Sequence, residues 1–263
     1  NLFNFAANAS HSQNTINKQV NITMPKLALS MNRIYPFKSK TSVSNKWYNK
    51  IGVSATANAR NDINTYDSLL FTNKTLQNMR NGVKFAVPIS TSINVLKYFT
   101  LTPSINTSSV VYFQTIQKYY DPNVTPLFVE NVNGAKLAND FNASANLTTH
   151  LYGDYYFHTK HLKRIRHVAT PALSFTYRPD FSQSKYGYYK TVQTDAAGTE
   201  ALYSIFEKGI YGSPAAGKSG VLNFSLNNTL EAKRKMQSDS GSVLKKVSLL
   251  DNFGVAFSYN MAV

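Results

Sequence analysis

The sequence predicts an all-β fold: an antiparallel transmembrane β-barrel segment of about nine long meander strands, part of a larger barrel. Three observations predict it. Apolar and polar residues alternate with period two over stretches far longer than an ordinary strand of about 5–6 residues. Charged residues make up only 16% of the 263, against about 25% in an average soluble domain. And the about 18–20 consecutive apolar residues that a membrane helix needs occur nowhere.

Strand pattern is present near 2–10 and again over 17–34, where Pro25 marks a bulge or a change of face, because proline donates nothing to a ladder. A third arm sets Ile51, Val53, Ala55, Ala57 and Ala59 on one side. The fourth carries Val83, Phe85, Val87, Ile89, Ile93 and Val95. After Leu96-Lys97-Tyr98 the fifth resumes with Phe99, Leu101, Pro103, Ile105, Val111 and Phe113, and its other side reads Thr100, Thr102, Ser104, Asn106, Ser108. The clearest alternation covers 141–157. Its odd positions run from Phe141 through Leu147 to Phe157, and its even positions from Asn142 through Ser144 and Asn146 to Asp154. Successive strand side chains point to opposite faces, so one face is greasy and the other wet. Further arms carry His167 to Tyr177, Leu222 to Leu230, and Phe253 to Val263.

The connections have their own pattern. Those near 96–98 and 158–164 are short, while those near 61–80, 114–139 and 179–217 are long and polar. Short turns on one side and long loops on the other are the arrangement of outer-membrane barrels. A short helix is expected in the third long loop, where Leu202, Ile205 and Phe206 share a face before Pro214. Aromatic residues reach 13%, with 17 Tyr and 16 Phe. Pairs such as Trp47-Tyr48, Tyr98-Phe99 and Tyr155-Tyr156 fall near strand ends, as interfacial girdles do.

The absence of cysteine excludes disulfides and thiolate metal sites. A net charge of +15 raises nucleic-acid binding, yet no recognition motif accompanies it, and the Lys and Arg residues spread along connections such as Lys38-Ser39-Lys40 and Lys245-Lys246. The denser runs are 160–166 and Lys233-Arg234-Lys235. The opening residues have no basic region followed by an apolar run, so no signal peptide is read there, and the chain reads as a fragment.

No catalytic, cofactor-binding or metal-ligating residue is assigned. His158-Thr159-Lys160-His161 with His167 has ligand-like spacing but no carboxylate among them, and reads as a solvated basic turn. Glu200, Glu207 and Glu231 show no paired partner for acid–base work. A barrel-embedded hydrolase would need Ser, His and an acid converging at one rim; His150, on the polar side, reads as lumen-lining instead. Sequons such as Asn142-Ala143-Ser144 and Asn223-Phe224-Ser225 follow from the abundance of Asn, Ser and Thr.

Several segments resemble the barrel region of the lipopolysaccharide-assembly family LptD in the form found in Bacteroidota. They are Met31 to Lys38, Lys46-Trp47-Tyr48-Asn49-Lys50-Ile51, Arg80-Asn81-Gly82 with Pro88-Ile89-Ser90, Leu96 to Pro103, Arg166 to Pro171 running into Tyr177 to Phe181, and Val247 to Asp251. The resemblance implies a non-catalytic outer-membrane translocon component of Gram-negative cells that inserts lipopolysaccharide into the outer leaflet. It also implies a plug lipoprotein partner of the LptE type and contact with outer-membrane lipids, without nucleic acid. Residues 1–263 are expected to be one partial barrel region without the family's periplasmic jelly-roll domain, and no gate residue is carried over. The basic excess at strand ends, including Lys160, Lys163 and Arg164, is expected to meet lipid phosphates. The alternatives are a passive porin or nutrient-transporter barrel, and a soluble β-sandwich adhesin, which would need short strands.

Overall fold

The computed structural model describes residues 1–38, 46–77, 79–122, 124–159, 162–238 and 241–261. Lys40, Lys160, His161 and Val263, which figure in the sequence reading, lie outside these.

The alternating segments form one antiparallel sheet. Its strands are β1 (Phe3–Asn14), β2 (Gln19–Ile34), β3 (Gly52–Tyr66), β4 (Arg80–Ser90), β5 (Ile93–Val95), β6 (Phe99–Asp121), β7 (Val124–Thr149), β8 (Leu151–Tyr156) and β9 (Leu162–Arg178). A separate two-stranded ribbon, β10 (Tyr189–Gln193) and β11 (Glu200–Ser204), interrupts the sequence before β12 (Ser219–Ser238) and β13 (Gly241–Asn260). Neighbour order in the sheet is β1-β2-β3-β4-β6-β7-β9-β12-β13. β5 continues β4 along β6, and β8 continues β7 along β9, so the meander has the nine arms that the alternation predicts. Among the described residues the outer edges of β1 and β13 have no partner strand, and the sheet is not closed.

The breaks in the arms follow from proline chemistry. Pro103 of β6 sits opposite the gap between Ser90 and Ile93, and Pro171 of β9 sits opposite the gap at His150. A proline carries no N–H, so the facing strand loses a ladder bond there and its regular pairing lapses for a residue or two. At Pro25 the register of β2 slips against both neighbours, between Asn8 and Ser10 of β1 and between Thr23 and Lys26 on the β3 side. That is the bulge expected at this position.

Register also shows how strongly the strands are staggered. The lateral row Ile34–Val53–Ile89–Ile105–Ala143–Tyr177 begins at the end of β2 beside connection 35–51. It finishes at the opposite end of the sheet, where β9 runs into residues 179–218. Such a slant is the shear a tilted barrel wall requires.

Connections differ from expectation in two places. Residues 114–139 are not an irregular loop: β6 and β7 continue into them as a hairpin whose last facing pair is Asp121 and Val124. Residues 35–51 form a long connection at the end that carries the short turn at 96–98. That turn is tight, with Leu96 and Lys97 both left-handed (φ 50° and 63°) and the Tyr98 N–H donating to the Leu96 carbonyl at 2.8 Å. Left-handed backbone costs a residue with a Cβ about 1 kcal/mol or more, and Asn-Gly is the pair that relieves it. Leu96→Asn combined with Lys97→Gly is therefore expected to stabilise the folded protein by about 1 kcal/mol, read as a raised urea midpoint in detergent. An unchanged or lower midpoint would contradict this account of the turn.

Candidate functional site

The sheet has two chemically distinct faces. On one, large apolar side chains stand in the open: Phe5 is 68% exposed, Phe257 62% and Leu151 57%. They line up across strands, as in Phe5–Leu29–Ala57–Phe85 and Leu101–Leu147–Leu173–Phe224–Phe257. A water-soluble protein does not leave so extensive an apolar surface uncovered. A bilayer covers it.

The other face is a wall of small polar groups bonded across strands. The Ser104 and Ser144 hydroxyls are 2.7 Å apart, Asn106 Nδ2 donates to Asn142 Oδ1 at 3.0 Å, and Asn223 Nδ2 reaches Ser174 Oγ at 3.5 Å. The row Thr102–Asn146–Ser174–Asn223–Ser258 continues across five strands. Hydroxyls and amides offer both donors and acceptors, which suits hydrated or sugar-bearing material.

At the end of the sheet where β9 finishes, residues 179–218 fold back over this same face. The arriving side chains are mostly aromatic: Phe181, Tyr188, Tyr203 and Phe206 are buried with Val192 and Ile205 against Val110, Tyr112, Ile116 and Ala138 of β6 and β7. Tyr112 and Phe206 stack with ring centres 4.7 Å apart. Gly209 has to be glycine, because a Cβ there would meet the Tyr112 ring at 2.5 Å. The loop reaches as far as β3, where the Tyr211 hydroxyl donates to the Asn58 carbonyl at 2.8 Å.

The docked loop also supplies hydrogen bonds that the protruding β6–β7 hairpin lacks. The Ile116 N–H donates to the Ile205 carbonyl at 2.9 Å and the Lys118 N–H to the Tyr203 hydroxyl at 3.2 Å. The Asn139 N–H donates to the Tyr188 hydroxyl at 2.8 Å. A strand edge beyond its neighbours otherwise presents unpaired backbone donors. Asp180 closes the loop at its base: the Ser182 hydroxyl and N–H donate to its Oδ1 at 2.6 and 2.8 Å, and the Gly217 N–H at 2.8 Å. The Ser182 hydroxyl bond, followed by these backbone bonds, holds the carboxyl below its usual range.

At the opposite end of the polar face lies a basic cleft of about 200 Å³ lined by Arg164, Arg166, Glu231, Lys233 and Lys246. Arg164 grips Asp154 with two bonds, Nε to Oδ1 at 2.8 Å and Nη2 to Oδ2 at 2.5 Å. Lys246 pairs with Glu231 at 2.6 Å.

The residues singled out in the sequence do not converge. His150 lies on the polar face, 3.0 Å from the Thr170 hydroxyl, and among the described residues no serine and acid are bonded to it. His167 bonds Asn228 at 2.9 Å, and His158 is exposed at the turn. Glu207 pairs with Lys118 at 2.6 Å, Glu231 sits in the basic cleft, and Glu200 opens β11. Among the described residues no group of three His, Asp or Glu side chains could hold a metal ion. Leu202, Ile205 and Phe206 are not on a helix: Leu202 is in strand β11, where it pairs with Thr191 and stands half exposed, while Ile205 and Phe206 are buried. Sequence reasoning missed the docked loop, although seven aromatics between Phe181 and Tyr211 are too many for a solvated connection.

Two expectations follow. Phe206→Ala should remove about 3 kcal/mol or more of docking, read as faster proteolysis within 179–218 while the far-UV signal of the strands is unchanged; unaltered proteolysis would count against the docked loop. A carboxyl whose folded pKa is depressed stabilises above its unfolded pKa, about 3.9 for Asp, and that stability is lost as pH falls through the lower folded value. Pepsin cleavage of the loop should therefore rise at the acid end in the native chain, and at higher pH already in Asp180→Ala. Identical pH profiles would contradict the clamp.

A family model described as LptD protein matches residues 1–263. No curated protein and no solved structure matches the chain. With the match covering the whole sequence and the two-faced antiparallel sheet in place, the chain belongs to the LptD protein family, whose members act in lipopolysaccharide transport and assembly at the outer membrane.

Proposed function

We propose that this chain is the barrel wall of a non-catalytic translocon that inserts lipopolysaccharide into the outer leaflet, with residues 1–263 forming a single barrel region. The observation that carries the reading is the pairing of an exposed apolar face with a continuous Asn/Ser/Thr face in a chain of this family. The apolar face sits in hydrocarbon and the polar face lines a wet interior through which saccharide passes. A plug lipoprotein of the LptE type occupies part of that interior as partner. The docked loop, which reaches from β7 across to β3 over the polar face, supports a guarded interior over the open pore of a passive porin.

Photocrosslinking tests this. A crosslinker at Asn146 or Ser174 on the polar face should capture lipopolysaccharide and the plug lipoprotein in cells, whereas one at Leu173 or Phe257 should capture phospholipid. Steady ion conductance with a solute-size cut-off, and no lipopolysaccharide adduct at Asn146 or Ser174, would favour the porin instead.

A further inference from the structure

The charges in the basic cleft are arranged in a way that folding alone does not reward. Arg164 of β9, Lys233 of β12 and Lys246 of β13 occupy directly paired positions on three adjacent strands. Like charges placed opposite each other across a sheet repel. The adjoining row is Asp154–Arg166–Glu231–Ser248, so the two rows together hold four cations and two carboxylates. Asp154 is held by Arg164 and Glu231 by Lys246. Among the described residues Arg166 and Lys233 have no carboxylate partner. The rings of Tyr152 and Tyr156 lie 5.0 and 5.5 Å from the Arg166 and Arg164 guanidinium centres, which holds those planar groups by their faces and leaves N–H edges to point elsewhere. Lys163, which the sequence groups with Arg164, sits at the register slip between Arg164 and Leu162 and is outside the row.

We infer that this cleft is an anion site for a phosphate group, held by Arg166, Lys233 and Lys246 on the polar face. Arginine N–H edges match phosphate oxygens two at a time, and the lysines add point charges. A phosphate in the cleft offsets the repulsion within the Arg164–Lys233–Lys246 row. The cleft lies at the end of the sheet beside the β8–β9 turn, since Arg164 pairs with Tyr156, the last residue of β8. At the same level the other face carries the apolar row Ile165–Ala232–Val247. The bound phosphate belongs either to lipopolysaccharide or to a phospholipid headgroup. Lipopolysaccharide as the source rests on the function proposed above.

The test uses the full-length protein in detergent with fluorescent lipopolysaccharide, its dephosphorylated form, and phosphatidylglycerol as competitor. Lys233→Gln with Lys246→Gln should weaken binding of the phosphorylated form by about tenfold or more, and leave the dephosphorylated form unchanged. Thermal unfolding controls for folding: added inorganic phosphate should raise the midpoint of the native chain and not that of the variant, whose own midpoint without phosphate should be equal or higher. If phosphatidylglycerol competes as well as phosphorylated lipopolysaccharide, the phosphate site stands with phospholipid as its source, and the translocon reading loses this support. Equal affinity of native and variant protein for phosphorylated lipopolysaccharide, with equal response to phosphate, overturns the site.

Discussion

Hydrocarbon offers no partner for a backbone N–H or C=O, so a chain that crosses a bilayer in strands has to satisfy each group on a neighbouring strand. The rest of this structure depends on that requirement. It makes the pairing antiparallel and consecutive, because a meander with short returns keeps each arm beside the next. It also fixes register, since a one-residue slip would carry every apolar side chain to the wet face. Two of the places where the ladder lapses, opposite Pro103 and Pro171, are those where the chain itself withholds a donor. Among the described residues β1 and β13 have edges without a partner strand, which the same requirement makes unfit for direct contact with lipid.

Beyond the sheet body the requirement is met differently. The β6–β7 hairpin outruns β4 on one side and β9 on the other, which leaves two free edges. Tyrosine hydroxyls and a carbonyl from residues 188–205 reach those edges, and aromatic rings cover the face between them. One stretch of sequence thus protects the hairpin from unwanted pairing and occupies part of the polar face.

How much of this was legible in the sequence depends on the distance over which the signal acts. The nine arms were readable because period-two alternation is local and sustained, as in Phe141 to Phe157. The bulge at Pro25 was readable from one residue's lack of a donor. The extension of β6 and β7 into 114–139 was not, because Asn131 and Asn133 resemble loop composition and their strand state comes from cross-strand pairing with Ile116 and Gln114. Leu202, Ile205 and Phe206 fit a helical spacing, yet Leu202 is held by its pairing with Thr191 of β10, and Ile205 and Phe206 by burial against β6 and β7. The basic cleft was half visible: Arg164 and Lys233 stand out in sequence, but only register sets them side by side.

The central claim is that one face of these arms meets lipid and the other meets water. Spin labels placed in turn at Leu173, Ser174, Phe175 and Thr176 of β9 in nanodiscs test it directly. Collision with oxygen should dominate at Leu173 and Phe175, and collision with a water-soluble nickel reagent at Ser174 and Thr176, alternating with every residue. Equal accessibility at all four positions, or oxygen preference at Ser174 and Thr176, would contradict the account.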